Sequence, residues 1–172
     1  GLDDGDVIDL GGVTVRIVHL PGHTRGHSGV IVEPDGVFVT GDIDLSAFGP
    51  YYGDEWSSLD DFEASLARAR TVDARWYVTF HHKGVVEGRD AYLEQLDAFT
   101  AVIASRENAM VAHLVGRECT LDELAATRFV YRPHVELPFV DTVERRSAAM
   151  SLVRLVAAGR VHEVAPGRFT AV

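Results

Sequence analysis

The sequence predicts an α/β fold followed by a small helical, winged-helix-like tail. Three observations carry that expectation. Strand-like alternation fills the first forty residues, and helical and strand patterns alternate from Ser58 onwards. Beyond residue 105 the charge balance changes, and the chain closes on helices followed by a hairpin.

Val7-Ile8-Asp9-Leu10 and Val13–Val18 flank Gly11-Gly12, a two-residue hairpin signal. Val13, Val15 and Ile17 alternate with Thr14 and Arg16, which places one face inwards and leaves the other partly wet. Gly29–Glu33 and Val37–Thr40 form a second hairpin around Pro34-Asp35-Gly36, where proline presets one turn dihedral and glycine accepts a positive φ. Ser58, with Asp61 three residues on, opens a helix whose Leu59, Phe62, Leu66 and Ala69 share one side. Trp76–Phe80 is a short strand that runs directly into His81-His82-Lys83-Gly84. A longer helix follows from about Asp90, with Tyr92, Leu96, Phe99 and Ile103 on one side.

In the tail, Thr120 and Glu123 bracket a capping box. Asp141 with Glu144 marks the start of a third helix, striped by Ala149, Leu152, Val153 and Val156 and closed by Gly159. Arg160–Val164 and Arg168–Val172 then form a hairpin around Ala165-Pro166-Gly167. The expected division is residues 1–105 and 106–172.

Composition narrows the function. The 172 residues are 47% hydrophobic and 24% charged, which describes a globular chain. No apolar run reaches the length of a membrane span, and the acidic start lacks a signal peptide's apolar core, so no membrane partner is expected. Cys119 is the only cysteine, which excludes an intrachain disulfide and a cysteine-rich zinc site and makes a cytoplasmic location the expectation. The net charge of −10 is uneven: residues 1–105 balance at −11 and residues 106–172 at +1. Like-charge repulsion makes the acidic part a poor binder of nucleic acid.

The chemistry concentrates in His19-Leu20-Pro21-Gly22-His23-Thr24-Arg25-Gly26-His27-Ser28, where three histidines fall within nine residues between two strands. A neutral imidazole offers a lone pair to a metal near physiological pH, although a polar surface loop would look the same in isolation. Two later strands end on Gly41-Asp42 and on His81. Strand ends lie close in space, so His23, Asp42 and His81 can converge there. Imidazole and carboxylate donors suit zinc, and also iron or manganese, better than calcium or magnesium. A carboxylate can bridge two metals, and metal-bound water loses a proton near neutrality. Between 43 and 56, the loop carries Phe48, Tyr51, Tyr52 and Trp56 among turn residues, which reads equally as a pocket wall or as a loop pinned by its own aromatics.

The ordered set of Pro21-Gly22-His23-Thr24-Arg25-Gly26-His27-Ser28, Thr40-Gly41-Asp42 and Thr79-Phe80-His81 resembles the metallo-β-lactamase-fold hydrolases over roughly residues 5–105. The resemblance implies half of an αββα sandwich with a winged-helix-like C-terminal module. It implies that His23 ligates one metal, that Asp42 bridges, and that His81 ligates a second, with His82 the alternative to His81. His27 takes a supporting place behind the ligands, His19 belongs to the sheet, and Asp44 is a lesser rival to Asp42. Tyr51, Tyr52 and Trp56 are the candidate substrate-pocket residues.

One departure matters. The superfamily's first motif, His-x-His-x-Asp-His, is absent, and the chain begins about twenty residues before the Pro-Gly-His-Thr motif. The resemblance therefore implies the second half of the fold. The expected partner is the first half, as a separate or nicked chain, or else a homo-oligomer, and the sheet face that meets the first half should carry exposed apolar side chains. The activity implied is hydrolysis, with a metal-bound hydroxide attacking an ester, thioester, amide, lactone or phosphodiester of a small molecule. The cofactors implied are two divalent ions, zinc first, held weakly or not at all when the first half is missing. The alternative is a metal-free remnant acting as a protein- or nucleic-acid-binding winged helix. Nine arginines in the tail permit it, while eight acids offset them.

Overall fold

The structure, a computed structural model, describes every residue except His82. Four helices and nine strands, in two sheets, are arranged in two compact units among the described residues. One unit comprises residues 1–51 and 56–102, the other residues 52–55 and 103–172.

The first unit is built on a six-stranded sheet whose strands lie in sequence order: β1 (Val7–Asp9), β2 (Thr14–His19), β3 (Ser28–Glu33), β4 (Val37–Gly41), β5 (Trp76–Thr79) and β6 (Val85–Glu87). All neighbours are antiparallel except β4 and β5, which run parallel because helix α1 (Leu59–Thr71) carries the chain back between them. Ser58 caps α1 by accepting from the Asp61 backbone N–H, and Leu59, Phe62, Leu66 and Ala69 are buried on its inner side. Strand β6 lies outside the predicted elements. Three residues, two of them valine, are too short a run for alternation to be visible, and the pairing Tyr77↔Val86 makes the strand.

The pairing register sorts the side chains onto two faces. Ile31, Phe38, Tyr77 and Val86 lie in one cross-strand row and are all buried. Tyr77 stacks on Tyr92 of helix α2 (Arg89–Leu114), with ring centroids 3.8 Å apart and planes within 7°. Helix α2 therefore covers this face. Val15, Ile17, Val30, Val32, Val37, Val39, Trp76, Val78 and Val85 occupy the opposite face. Most of these are only half-buried, and Val85 at the sheet's edge is exposed.

The second unit takes the latter part of α2, then β7 (Cys119–Thr120), α3 (Leu121–Thr127), α4 (Val140–Ala157), β8 (Val161–Ala165) and β9 (Arg168–Ala171). Its three strands are ordered β7-β9-β8. Helix, short strand, two helices and a closing hairpin is a winged-helix-like arrangement. Its core gathers Met110, Leu114, Leu124, Ala148, Leu152, Leu155 and Val161. Both halves of the Thr120–Glu123 capping box form. The start of α4 differs from expectation: Phe139 occupies the N-cap without a side-chain bond, and Asp141 falls within the first turn. Glu144 is turned inwards instead, where its carboxylate accepts from the backbone N–H groups of Phe129, Val130 and Tyr131. Among the described residues no helix is long and apolar enough to cross a membrane.

Candidate functional site

The sheet topology brings the candidate ligands together. Parallel pairing sets Gly41 beside Thr79, so the residues that follow β4 and β5 leave the sheet at the same end. Antiparallel pairing of β3 with β4 sets the start of β3, and with it the loop 20–27, at that end too. His23, Asp42, Asp44, Phe48, Gly49, Tyr51 and His81 line one cleft of about 380 Å³.

His23 is oriented from behind. Its Nδ1 lies 3.0 Å from the Tyr51 carbonyl oxygen, which can only accept, so Nδ1 carries a proton and Nε2 is the nitrogen whose lone pair a metal can take. That nitrogen is 3.7 Å from Asp42 Oδ2, beyond hydrogen-bond distance. The loop itself is held down by Ser65 and Ser57, whose hydroxyls donate to the carbonyls of Pro21 and His23. His19 ends β2 and binds the Arg25 carbonyl through Nε2, bracing the far side of the same loop.

His27 lies outside the cleft with both ring nitrogens engaged. Nδ1 donates to the Leu20 carbonyl at 2.7 Å, and Nε2 accepts from the backbone N–H of Asp42 at 2.9 Å. Burial holds its pKa below the ordinary histidine value, against the Leu20 carbonyl and the Asp42 carboxylate, which pull the other way. A ring so committed has no lone pair for a metal and serves to fix the Asp42 backbone. Gly41 makes this possible: its φ is +59°, and a Cβ there would lie 2.5 Å from His27 Nε2.

Asp42 stands between the two other candidate ligands. Its Oδ2 faces His23, and its Oδ1 is 3.1 Å from His81 Nε2. His81 is a non-glycine residue at φ +63°, a conformation that costs backbone energy and is found disproportionately at functional sites. Asp44 lines the cleft with one oxygen tied to the Ser46 N–H. His82 lies outside the described residues. Among the described residues, no group of three or more His, Cys, Asp and Glu side chains is arranged to hold a metal ion by itself.

The aromatic loop divides differently from expectation. Of Tyr51, Tyr52 and Trp56, only Tyr51 lines the cleft. Tyr52 belongs to the second unit, buried with the Arg106 guanidinium over its ring. Trp56 is 53% exposed and stacks under Arg25, 4.1 Å from its ring centroid. Phe48 and Gly49 line the cleft in addition to the predicted pocket residues, and the Phe48 ring, aromatic and flanked by turn residues, is the available sequence signal.

No family model matches the chain. A stretch of 41 residues is 42% identical to the lactamase-like protein ptaB of Pestalotiopsis fici, covering 24% of this chain and 13% of that protein. A stretch of 40 residues is 45% identical to the hydroxyacylglutathione hydrolase GloC of Haemophilus influenzae, covering 23% of this chain and 19% of that protein. Among solved structures, a metallo-beta-lactamase family protein from Thermus thermophilus superposes with a TM-score of 0.78 at 24% identity, over 99% of this chain and 54% of its own. A beta-lactamase domain protein from Burkholderia ambifaria gives 0.71 at 22% identity, over 99% and 52%. The chain thus spans about half the length of those two structures. Both superpositions take in 99% of this chain, which has the fold of the matched half of these metallo-β-lactamase structures.

Proposed function

We propose that this chain carries one side of the active site of a metal-dependent hydrolase. The observation that carries the reading is the pair formed by His23 Nε2 and Asp42 Oδ2. With Nδ1 turned to the Tyr51 carbonyl, Nε2 faces the Asp42 carboxylate across 3.7 Å in the cleft, too far for a hydrogen bond and close enough for both to reach one divalent cation. The donor set fits the group: two imidazoles and a carboxylate suit zinc, and also iron or manganese. His23 would hold one ion through Nε2, His81 a second, and Asp42 would reach both. His81 must surrender its Nε2 proton to do so, as ligands generally do when a metal binds.

A bound ion of this kind brings the pKa of water towards neutrality and polarises a carbonyl or phosphoryl oxygen. The chain's own residues supply position. Tyr51 fixes the tautomer of His23, His27 fixes the backbone of Asp42, and the parallel β4–β5 pair fixes Asp42 against His81. The bonds within reach of this chemistry are an ester, thioester, amide, lactone or phosphodiester of a small molecule.

Three side chains supply too few donors for two ions, so the remaining ligands come from the first half of the fold, in the same polypeptide or another. The half-buried valine face of the sheet supports that partner, because it offers a continuous apolar surface of the kind a second sheet packs against. The second unit does not favour a nucleic-acid reading. Its α4 presents Val153, 71% exposed, and Val156 to solvent where a polyanion would require cations.

Elemental analysis tests the assignment on the chain assembled with the first half of the fold. Bound zinc, iron or manganese should be found in the wild type and fall sharply in both His23→Ala and Asp42→Ala. Unchanged metal in both variants would remove the ligand assignment.

A further inference from the structure

The lining of the cleft is of two chemical kinds: His23, Asp42, Asp44 and His81 bring metal-binding donors, and Phe48 and Tyr51, with Gly49 between them, make an aromatic wall. Phe48 is 36% exposed, and its ring centroid lies 6.5 Å from that of Tyr51, with the planes 33° apart. The Tyr51 ring in turn lies 5.6 Å from the His23 ring. The Tyr51 ring thus neighbours both the exposed Phe48 ring and a candidate metal ligand.

The aromatic wall is fixed in place. Gly49 adopts φ +79° and approaches helix α2 so closely that a Cβ would lie 2.5 Å from the Val102 side chain. Its N–H closes a turn on the Ser46 carbonyl, and Pro50 beside it is buried. The Tyr51 backbone is held by its bond from His23. A backbone held this way limits the freedom of the two side chains it carries, and so the entropy lost when a flat partner settles on them. Stacking of aromatic rings contributes roughly 0.5–1.5 kcal/mol beyond area burial.

We infer that Phe48 and Tyr51 form a platform for a planar aromatic group of the substrate, next to the bond that is cleaved. The inference rests on the hydrolase reading for the reaction but not for the binding, and it narrows the substrate to an ester, thioester or amide of an aromatic acid or alcohol. Tyr51 then has two separable parts. Its carbonyl orients His23 whatever the side chain is, and its ring receives the substrate.

The test uses the chain assembled with the first half of the fold and loaded with zinc, and two esters of similar leaving-group acidity, 2-naphthylmethyl acetate and cyclohexylmethyl acetate. A parallel titration with 2-naphthylmethanol, followed through the protein's aromatic NMR signals, reads binding without metal or turnover. The wild type should prefer the naphthyl ester in kcat/KM by about twofold to tenfold, since 1.4 kcal/mol is a factor of ten. Phe48→Ala and Tyr51→Ala should each lower that preference and weaken naphthylmethanol binding several-fold, and Phe48→Trp should restore both. Phe48→Leu, which keeps apolar bulk without the ring, should behave like Phe48→Ala and separates lost stacking from lost folding. Ester hydrolysis without aryl preference, together with naphthylmethanol binding indifferent to Phe48, would overturn the platform and leave the hydrolase reading intact. Phe48-dependent binding with no hydrolysis of either ester would support the platform and count against the hydrolase.

Discussion

The backbone N–H of Asp42 donates to Nε2 of His27 at 2.9 Å, so the buried histidine holds the candidate ligand by its main chain and leaves both carboxylate oxygens facing the cleft. His27→Ala removes that acceptor and opens a gap beneath Gly41. The Asp42 amide should then lose hydrogen-exchange protection, and unfolding free energy should fall by about 1–3 kcal/mol for the unsatisfied group. His27→Gln can accept the same bond and should recover part of both. An unchanged Asp42 amide in the alanine variant would show that the bond does not hold it.

Gly41→Ala acts on the same pair from the other side. The new methyl meets His27 Nε2 and sits at a positive φ, so the ring must move and the bond to Asp42 must break. The expected cost is about 2–4 kcal/mol, within the range for strain at a special backbone position together with a lost buried hydrogen bond. Chemical denaturation measures it, and a loss below about 1 kcal/mol, by the same standard, would mean the loop adjusts freely.

Glu144 fixes the second unit independently of the cleft. Its carboxylate takes three backbone N–H groups from residues 129–131 while only 1% exposed. Glu144→Ala strands those donors in a buried setting. It should cost about 3 kcal/mol or more, with a lower thermal midpoint. Glu144→Gln keeps an acceptor and should cost less. Equal losses in the two variants would show that the amide nest does not depend on a carbonyl or carboxylate oxygen.

Tyr92 gives the first unit an alkaline limit. Burial, reinforced by the neighbouring Tyr77, raises its pKa well above the ordinary value of 10. A neutral phenol in the folded state means that the unfolded chain releases its proton first. The contribution is therefore complete below pH 10 and is lost as the pH climbs from there towards the folded-state value. Urea midpoints measured from about pH 8 to about 11.5 should fall in the wild type above about 10 and stay flatter in Tyr92→Phe, which keeps the stack on Tyr77. Parallel curves would reject Tyr92 as the source.

The valine face of the sheet provides a test of the proposed partner. Val39→Asp places a charge among half-buried side chains. It should destabilise this chain alone far less than it destabilises the chain assembled with the first half of the fold, where an unpaired buried charge costs several kcal/mol. Calorimetry on both preparations reads the difference, and equal shifts would count against the face as an interface.

Local pattern determined a good part of this protein. Both N-terminal hairpins, the Ser58 cap, the Thr120–Glu123 capping box and the buried side of α2 are written in residues near one another, where turn chemistry and periodicity act directly. The motif around His23, Asp42 and His81 likewise named residues that line the cleft. Strand β6 was hidden because three residues have no period, and the inward turn of Glu144 because its partners are backbone groups thirteen to fifteen positions away. Only the tertiary structure could separate the histidines of the first motif. His23 and His27 look alike in the chain, but which ring nitrogen keeps its lone pair depends on carbonyls at Tyr51 and Leu20 and on an amide at Asp42. The same holds for Tyr51, Tyr52 and Trp56, sorted into cleft, core and surface by packing against residues far along the chain. Sequence pattern carries what a residue is and how its neighbours repeat; hydrogen-bond partners and burial are supplied by segments that only folding brings together.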